Sequence, residues 1–158
     1  MNERICDVRW EGPFAWGKRA DHLTQDHVLC ALYGAHHLYG TSVLLYIGMT
    51  EVEIGTQLTG HVGWIKDEFD TMTLKVATVG LFQSVEAWSM TWNPERRYEQ
   101  ADASLVRDVE ALLIYALLPA YNTQGKDSLV LEGGPLRIFN TGKLGLILPE
   151  LSSIYYER

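Results

Sequence analysis

Cysteine is scarce: Cys6 and Cys30 are the only two in 158 residues, far apart and without metal-ligand spacing. This excludes a disulfide framework and argues against a thiolate zinc site. Free thiols fit a reducing compartment, and a cytoplasmic protein is expected. No apolar run approaches the length of about eighteen residues that a membrane-spanning helix needs. The opening "MNERICDVRW" has no apolar core of a signal peptide. There is no internal repeat, no Gly-rich phosphate loop, no Gly-x-Ser-x-Gly and no His-Glu-x-x-His. Basic residues are also few: 13 Lys and Arg against 20 Asp and Glu give a net charge of -7. That counts against a protein that coats DNA. It does not exclude a nuclease, which needs only a local basic groove and whose metal-binding carboxylates add negative charge.

What is present describes an ordinary globular chain: 47% hydrophobic and 21% charged residues, at the size of one domain. An irregular, Trp- and Gly-rich N-terminal arm is expected over about 1–26, with a core over about 27–123 and a C-terminal extension over about 124–158. Strands are expected at about Val28–Gly34 and Ser42–Gly48, joined as a hairpin by a Gly-bearing loop. Thr50 and Glu53 form a capping box that opens a helix carrying Ile54, Leu58, His61 and Ile65. "TLKVATVGLF" reads as a third strand, with Lys75 and Thr78 among apolar neighbours. "DASLVRDVEALLIYALLPAYN" is the strongest helix, capped by Asp102 or Ser104 and stopped by Pro119. A short strand is expected at Leu136–Asn140. Hairpin-joined strands favour an α+β fold, a small antiparallel sheet of about three strands flanked by helices.

Glu110 continues the face of Ile114 and Leu117 on that helix, and a buried carboxylate is costly unless paired or metal-bound. The plain alternative is a helix salt bridge to Arg107. His61 shares a helix edge with Gln57 and Ile65 and could relay a proton near neutral pH, or be a satisfied structural histidine. Tyr33 and Tyr46 lie on the paired strands, where tyrosines usually pack. Near a metal and an acceptor, a phenol can serve as general base. His36 and His37 fall in the hairpin loop, with exposure the simpler account. Lys18, Arg19, Arg96, Arg97, Lys126, Arg137 and Lys143 are candidate groove cations, or simply solvated charges.

In this order the residues resemble the GIY-YIG nuclease family. Ala31-Leu32-Tyr33 stands for the first motif, with only the tyrosine matching strictly. Tyr46-Ile47-Gly48 matches the second literally. "GTQLTGH" looks like the family's Arg-then-His helix, with Gln57 on the Arg position and His61 on the His. "VEALLIYALLPAYN" resembles the metal-binding helix and supplies Glu110 and Asn122. "WEGPFAW" is similar to the leader of some bacterial members. The resemblance implies an endonuclease that hydrolyses phosphodiester bonds in DNA with one divalent ion, Mg²⁺ or Mn²⁺, ligated by Glu110. It further implies that Tyr33 or Tyr46 orients or deprotonates water, with His61 assisting and Gly48 and Asn122 supporting. Arg96, Arg97 and Lys126 are the candidate nucleic-acid contacts. A restriction or defence role is the expected one. Recognition would come from the arm, the segment around Trp88 to Tyr98, or the C-terminal extension. Cutting both strands favours a homodimer.

Gln57 is the departure. It can donate a hydrogen bond but has neither charge nor guanidinium fork. Losing a cation that clamps the scissile phosphate costs about 10³–10⁵ in rate. The chain as written is therefore expected to cleave poorly or not at all. Three accounts stay open: an introduced substitution, a natural loss that leaves a non-catalytic nucleic-acid- or protein-binding module, or a different register in which Arg96, Arg97 or Arg107 supplies the cation.

Overall fold

A computed structural model describes residues 2–50, 72–90 and 98–157. Seven strands are described: β1 (Arg4–Ala15), β2 (Leu29–His36), β3 (Gly40–Met49), β4 (Thr73–Phe82), β5 (Glu99–Gln100), β6 (Leu136–Gly142) and β7 (Glu150–Ser152). With them come helices α1 (Arg19–His22), α2 (Val85–Ser89) and α3 (Ala103–Leu117). The strands form one mixed sheet in the order β3-β2-β4-β1-β6-β7, with β5 paired to β4, curled into a half-barrel. No helix among the described residues is long and apolar enough to cross a membrane.

This corrects the expected small three-stranded antiparallel sheet. The segment read as an irregular arm contains β1, which pairs antiparallel with β4 and parallel with β6 at the middle of the sheet. A central strand buries both faces, so Ile5, Cys6, Asp7 and Val8 are all buried, and from Val8 onward burial alternates, with Trp10 buried between exposed Arg9 and Glu11. Asp7 is tolerated there because its carboxylate accepts Trp88 Nε1–H at 2.9 Å and the Thr141 hydroxyl at 3.1 Å. The register shifts between Glu11 and Phe14, across Gly12 and Pro13. The C-terminal extension supplies β6 and β7 and is equally part of the sheet.

Within the expected core the hairpin, the third strand and the long helix hold. The hairpin is β2 and β3, the third strand is β4, and the helix begins at Asp102, whose side chain accepts Leu105 N–H at 2.8 Å. Val106, Val109, Leu112 and Leu113 of α3 are buried against the sheet. α3 ends at Leu118 in the left-handed region, φ 49°, just before Pro119.

Along β2, side chains alternate between two apolar clusters. Leu29, Ala31 and Tyr33 join the cluster that includes α3, while Cys30 and Leu32 join the one around Trp16 and Leu74. The clusters are thus the two faces of the sheet at this end. An extra residue on β3, between the pairs Leu32–Tyr46 and Tyr33–Leu44, breaks the alternation there.

Candidate functional site

β3 is the edge strand of the sheet, and an unpaired edge must satisfy its backbone groups elsewhere. The chain following α3 does this. Ala120 N–H donates to Leu44 O at 3.1 Å and Tyr121 N–H to Leu45 O at 2.8 Å. Asn122 then clamps Ile47 from both sides: its Oδ1 accepts Ile47 N–H and its Nδ2 donates to Ile47 O, each at 2.9 Å. One step further, Met49 N–H donates to the carboxylate of Glu110. The middle residue of Tyr46-Ile47-Gly48 is therefore held by the Asn of "PAYN", and the edge beyond it by the Glu of α3.

Tyr46 completes the group. Its ring folds back over Gly48, where a Cβ would lie 2.6 Å from Cε1 and 2.9 Å from the hydroxyl. Any side chain at position 48 would push the phenol away, which gives the Gly of the motif a physical reason. Burial raises the pKa of Tyr46, and the nearby Cys30 and Glu110 raise it further. Burial also raises the Glu110 pKa, only partly offset by the Met49 amide. The Cys30 thiol is pushed up to about 12 by burial, then by Glu110. Thus a half-buried carboxyl, a phenol and a buried thiol lie within electrostatic reach of one another, with the Met49 N–H on the carboxyl and the Gly48 backbone on the thiol.

The remaining sequence candidates are placed as follows. Gln57, His61, Arg96 and Arg97 lie outside the described residues, as does nearly all of the expected capping-box helix. Thr50 itself donates its hydroxyl to the His27 carbonyl. Tyr33 is not brought to Tyr46; the two pack on opposite faces of the sheet. The proposed Arg107–Glu110 bridge does not form: Arg107 is exposed and does not act on the Glu110 carboxyl. Lys126 donates to Pro119 O at 2.6 Å, Arg19 lies over the Trp16 ring at 4.5 Å, and Arg137 pairs with Glu3 and Glu150. Lys18 and Lys143 are exposed. His36 is not an exposed loop residue. It is buried, accepts Leu38 N–H at 3.1 Å through Nδ1 and stacks on His37 and Tyr39. Trp88 stacks on Phe139 with ring centroids 3.9 Å apart.

Sequence reading did not single out Cys30 or the Met49 amide. Cys30 sits in the strand opposite Gly48, and only the pairing register reveals it. Among the described residues no three His, Cys, Asp or Glu side chains converge as a metal cluster. Glu110 alone could still serve an ion such as Mg²⁺, which keeps most of its waters and uses one or two carboxylates. Comparison of the chain with protein-family models, curated proteins and solved structures returns no match.

Proposed function

We infer that this chain is built as a metal-dependent DNA endonuclease, in a restriction or defence setting, nearly inactive as written because Gln57 replaces a cation. One observation carries the reading. Tyr46 and Gly48 come from one motif and Glu110 and Asn122 from another some sixty residues later, and the two motifs meet along a single strand edge.

Glu110 would hold Mg²⁺ or Mn²⁺. Its raised pKa means the ionised form is poorly compensated in the free protein, and a cation is what would compensate it. A bound divalent ion polarises the phosphate and offsets charge on the departing oxygen. Tyr46 stays a neutral phenol at neutral pH, so its part is to orient water by hydrogen bonding. Asn122 positions the strand that carries it. His61 and the residue at position 57 would complete the site, and two copies of the chain would be needed to cut both strands.

A second reading, a non-catalytic homologue that binds nucleic acid or a partner protein, draws on Tyr33 packing away from Tyr46. Cleavage of supercoiled and linear DNA with Mg²⁺ or Mn²⁺, by this chain and by Gln57→Arg, tests the first. The chain should be inert and the variant should cut, and Glu110→Ala in the variant background should remove the activity. A folded but inert Gln57→Arg that also binds no Mn²⁺ overturns the enzyme reading and leaves the binding module.

A further inference from the structure

A second polar centre lies on the α3 face of the sheet, where Lys75 pairs in register with Ala31. Lys75, in the middle of β4, is 6% exposed. Its ammonium donates to Lys143 O at 2.7 Å and stands 5.2 Å from the Tyr33 ring centroid. No carboxylate pairs with it among the described residues. Tyr33 is 7% exposed, and its hydroxyl has no hydrogen-bond partner among the described residues. The two are diagonal neighbours, since Ala31 pairs with Lys75 and Tyr33 with Thr73.

This combination is unfavourable for a core. An ammonium carries three donors and one is used. A buried cation without a counter-charge, beside a buried hydroxyl without a partner, costs stability that a Met–Phe pair would not. Burial lowers the Lys75 pKa accordingly. The unused donors instead match one kind of guest, an oxyanion.

A cleft lies beside the pair. It has a volume of about 710 Å³, an apolar wall of Val43, Leu44, Leu117, Leu118 and Leu146 and a polar rim with Lys126 and Asp127, and Lys75 and Tyr33 lie behind the apolar wall. Two of these abut the pair. Leu44 is the strand partner of Tyr33. Leu146 follows Gly145, where a Cβ would lie 2.6 Å from Lys75 Nζ. Gly145 has φ +58°, and the segment closes directly over the ammonium. Leu146 is 67% exposed, as is usual for a side chain on a flap rather than in a core.

We propose that Lys75 and Tyr33 form a binding site for the acidic head of an amphiphilic small molecule, its apolar body lying in the Leu-walled cleft and the Gly145–Leu146 turn covering the head. The head is a carboxylate or a phosphate, and both accept hydrogen bonds from an ammonium and a phenol.

The test is a titration of the intact chain with octanoate, octyl phosphate, inorganic phosphate and octanol, read by calorimetry and by thermal shift. Octanoate or octyl phosphate should bind saturably, and whichever is tighter identifies the head. Inorganic phosphate should bind more weakly, and octanol more weakly than either acid. Lys75→Met should weaken the acid at least tenfold and leave octanol unchanged. Tyr33→Phe should raise the melting temperature of the free protein while weakening the acid several-fold. Both variants remove a buried polar group, so folding is expected to survive. The proposal is overturned if no acid binds saturably, if octanol equals octanoate, or if Lys75→Met leaves acid affinity unchanged.

Discussion

Asp108 and Glu110 stand two residues apart on α3, and the fold treats them in opposite ways. Asp108 is 2% exposed and fully served: it accepts Glu132 N–H and Gly133 N–H, each at 2.9 Å, and Arg4 at 2.6 Å. Burial alone would raise its pKa, but the Gly133 amide, the Arg4 guanidinium and the Glu132 amide outweigh it, and the net shift is downward. Among the described residues Glu110 has one amide and no cation, and its shift is upward. The first carboxylate pins the 132–133 turn to the helix. The second is held in a state that another positive charge would improve. A structural acid is recognised by complete compensation and a candidate functional acid by its lack.

The sharpest way to break this comparison is to place a positive charge at position 57, where the proposed function calls for one. Gln57→Arg should raise DNA cleavage by about 10³–10⁵, which is about 4–7 kcal/mol of barrier, measured as single-turnover rates with Mn²⁺. If cleavage stays absent in a folded protein, the under-compensation of Glu110 has no catalytic meaning. The next largest effect belongs to Asp108. Removing one partner of a buried pair strands the other, so Asp108→Ala should lower unfolding stability by about 3–5 kcal/mol in urea. A loss under about 1 kcal/mol would mean the network is less complete than its geometry. Asn122→Ala removes both bonds to Ile47 and should cost about 1–3 kcal/mol, with faster amide exchange confined to Ile47 and its edge neighbours. Unchanged exchange there would show that the clamp does not hold the strand.

How much of this could be read beforehand follows the range of the forces involved. The hairpin, β4 and α3 are set by local pattern and by signals at their ends, Asp102 and Pro119, and these were legible. The strand β1 was not. Its parallel partner β6 begins 132 positions after it, Arg4 against Leu136, and no local period announces a pairing at that distance. Its one local signal, Cys6, Val8 and Trp10 alternating with Asp7, Arg9 and Glu11, is short and is cut off by Gly12 and Pro13, so the segment reads as an irregular arm. The Glu110–Asn122 edge was half legible: the residues could be named, but their shared target, the Tyr46–Met49 edge, is a backbone feature and leaves no side-chain signature. Lys75 was visible as a lysine among apolar neighbours, while its relation to Tyr33 required the register of β2 on β4.

The smallest effect separates the two carboxylates most cleanly, because their pH dependences have opposite sign. The folded pKa of Asp108 lies below its ordinary 3.8, so its contribution is complete above that value and is lost as pH falls through the folded one. The folded pKa of Glu110 lies above its ordinary 4.5, so its neutral form favours folding. That contribution is present below 4.5 and is lost as pH rises through the folded value. Urea midpoints measured downward from pH 7 should therefore carry a slight gain as Glu110 protonates, then a fall in the acid range as Asp108 does. Glu110→Gln should remove the gain, keep the fall, and raise stability at pH 7 by under about 1 kcal/mol. Millimolar Mg²⁺ should cancel the gain in the unmodified chain, since an ion on Glu110 stabilises the ionised form. If the profiles of the unmodified chain and Glu110→Gln superimpose from pH 7 to 4.5, with and without Mg²⁺, Glu110 is as well compensated as Asp108 and the contrast between them fails.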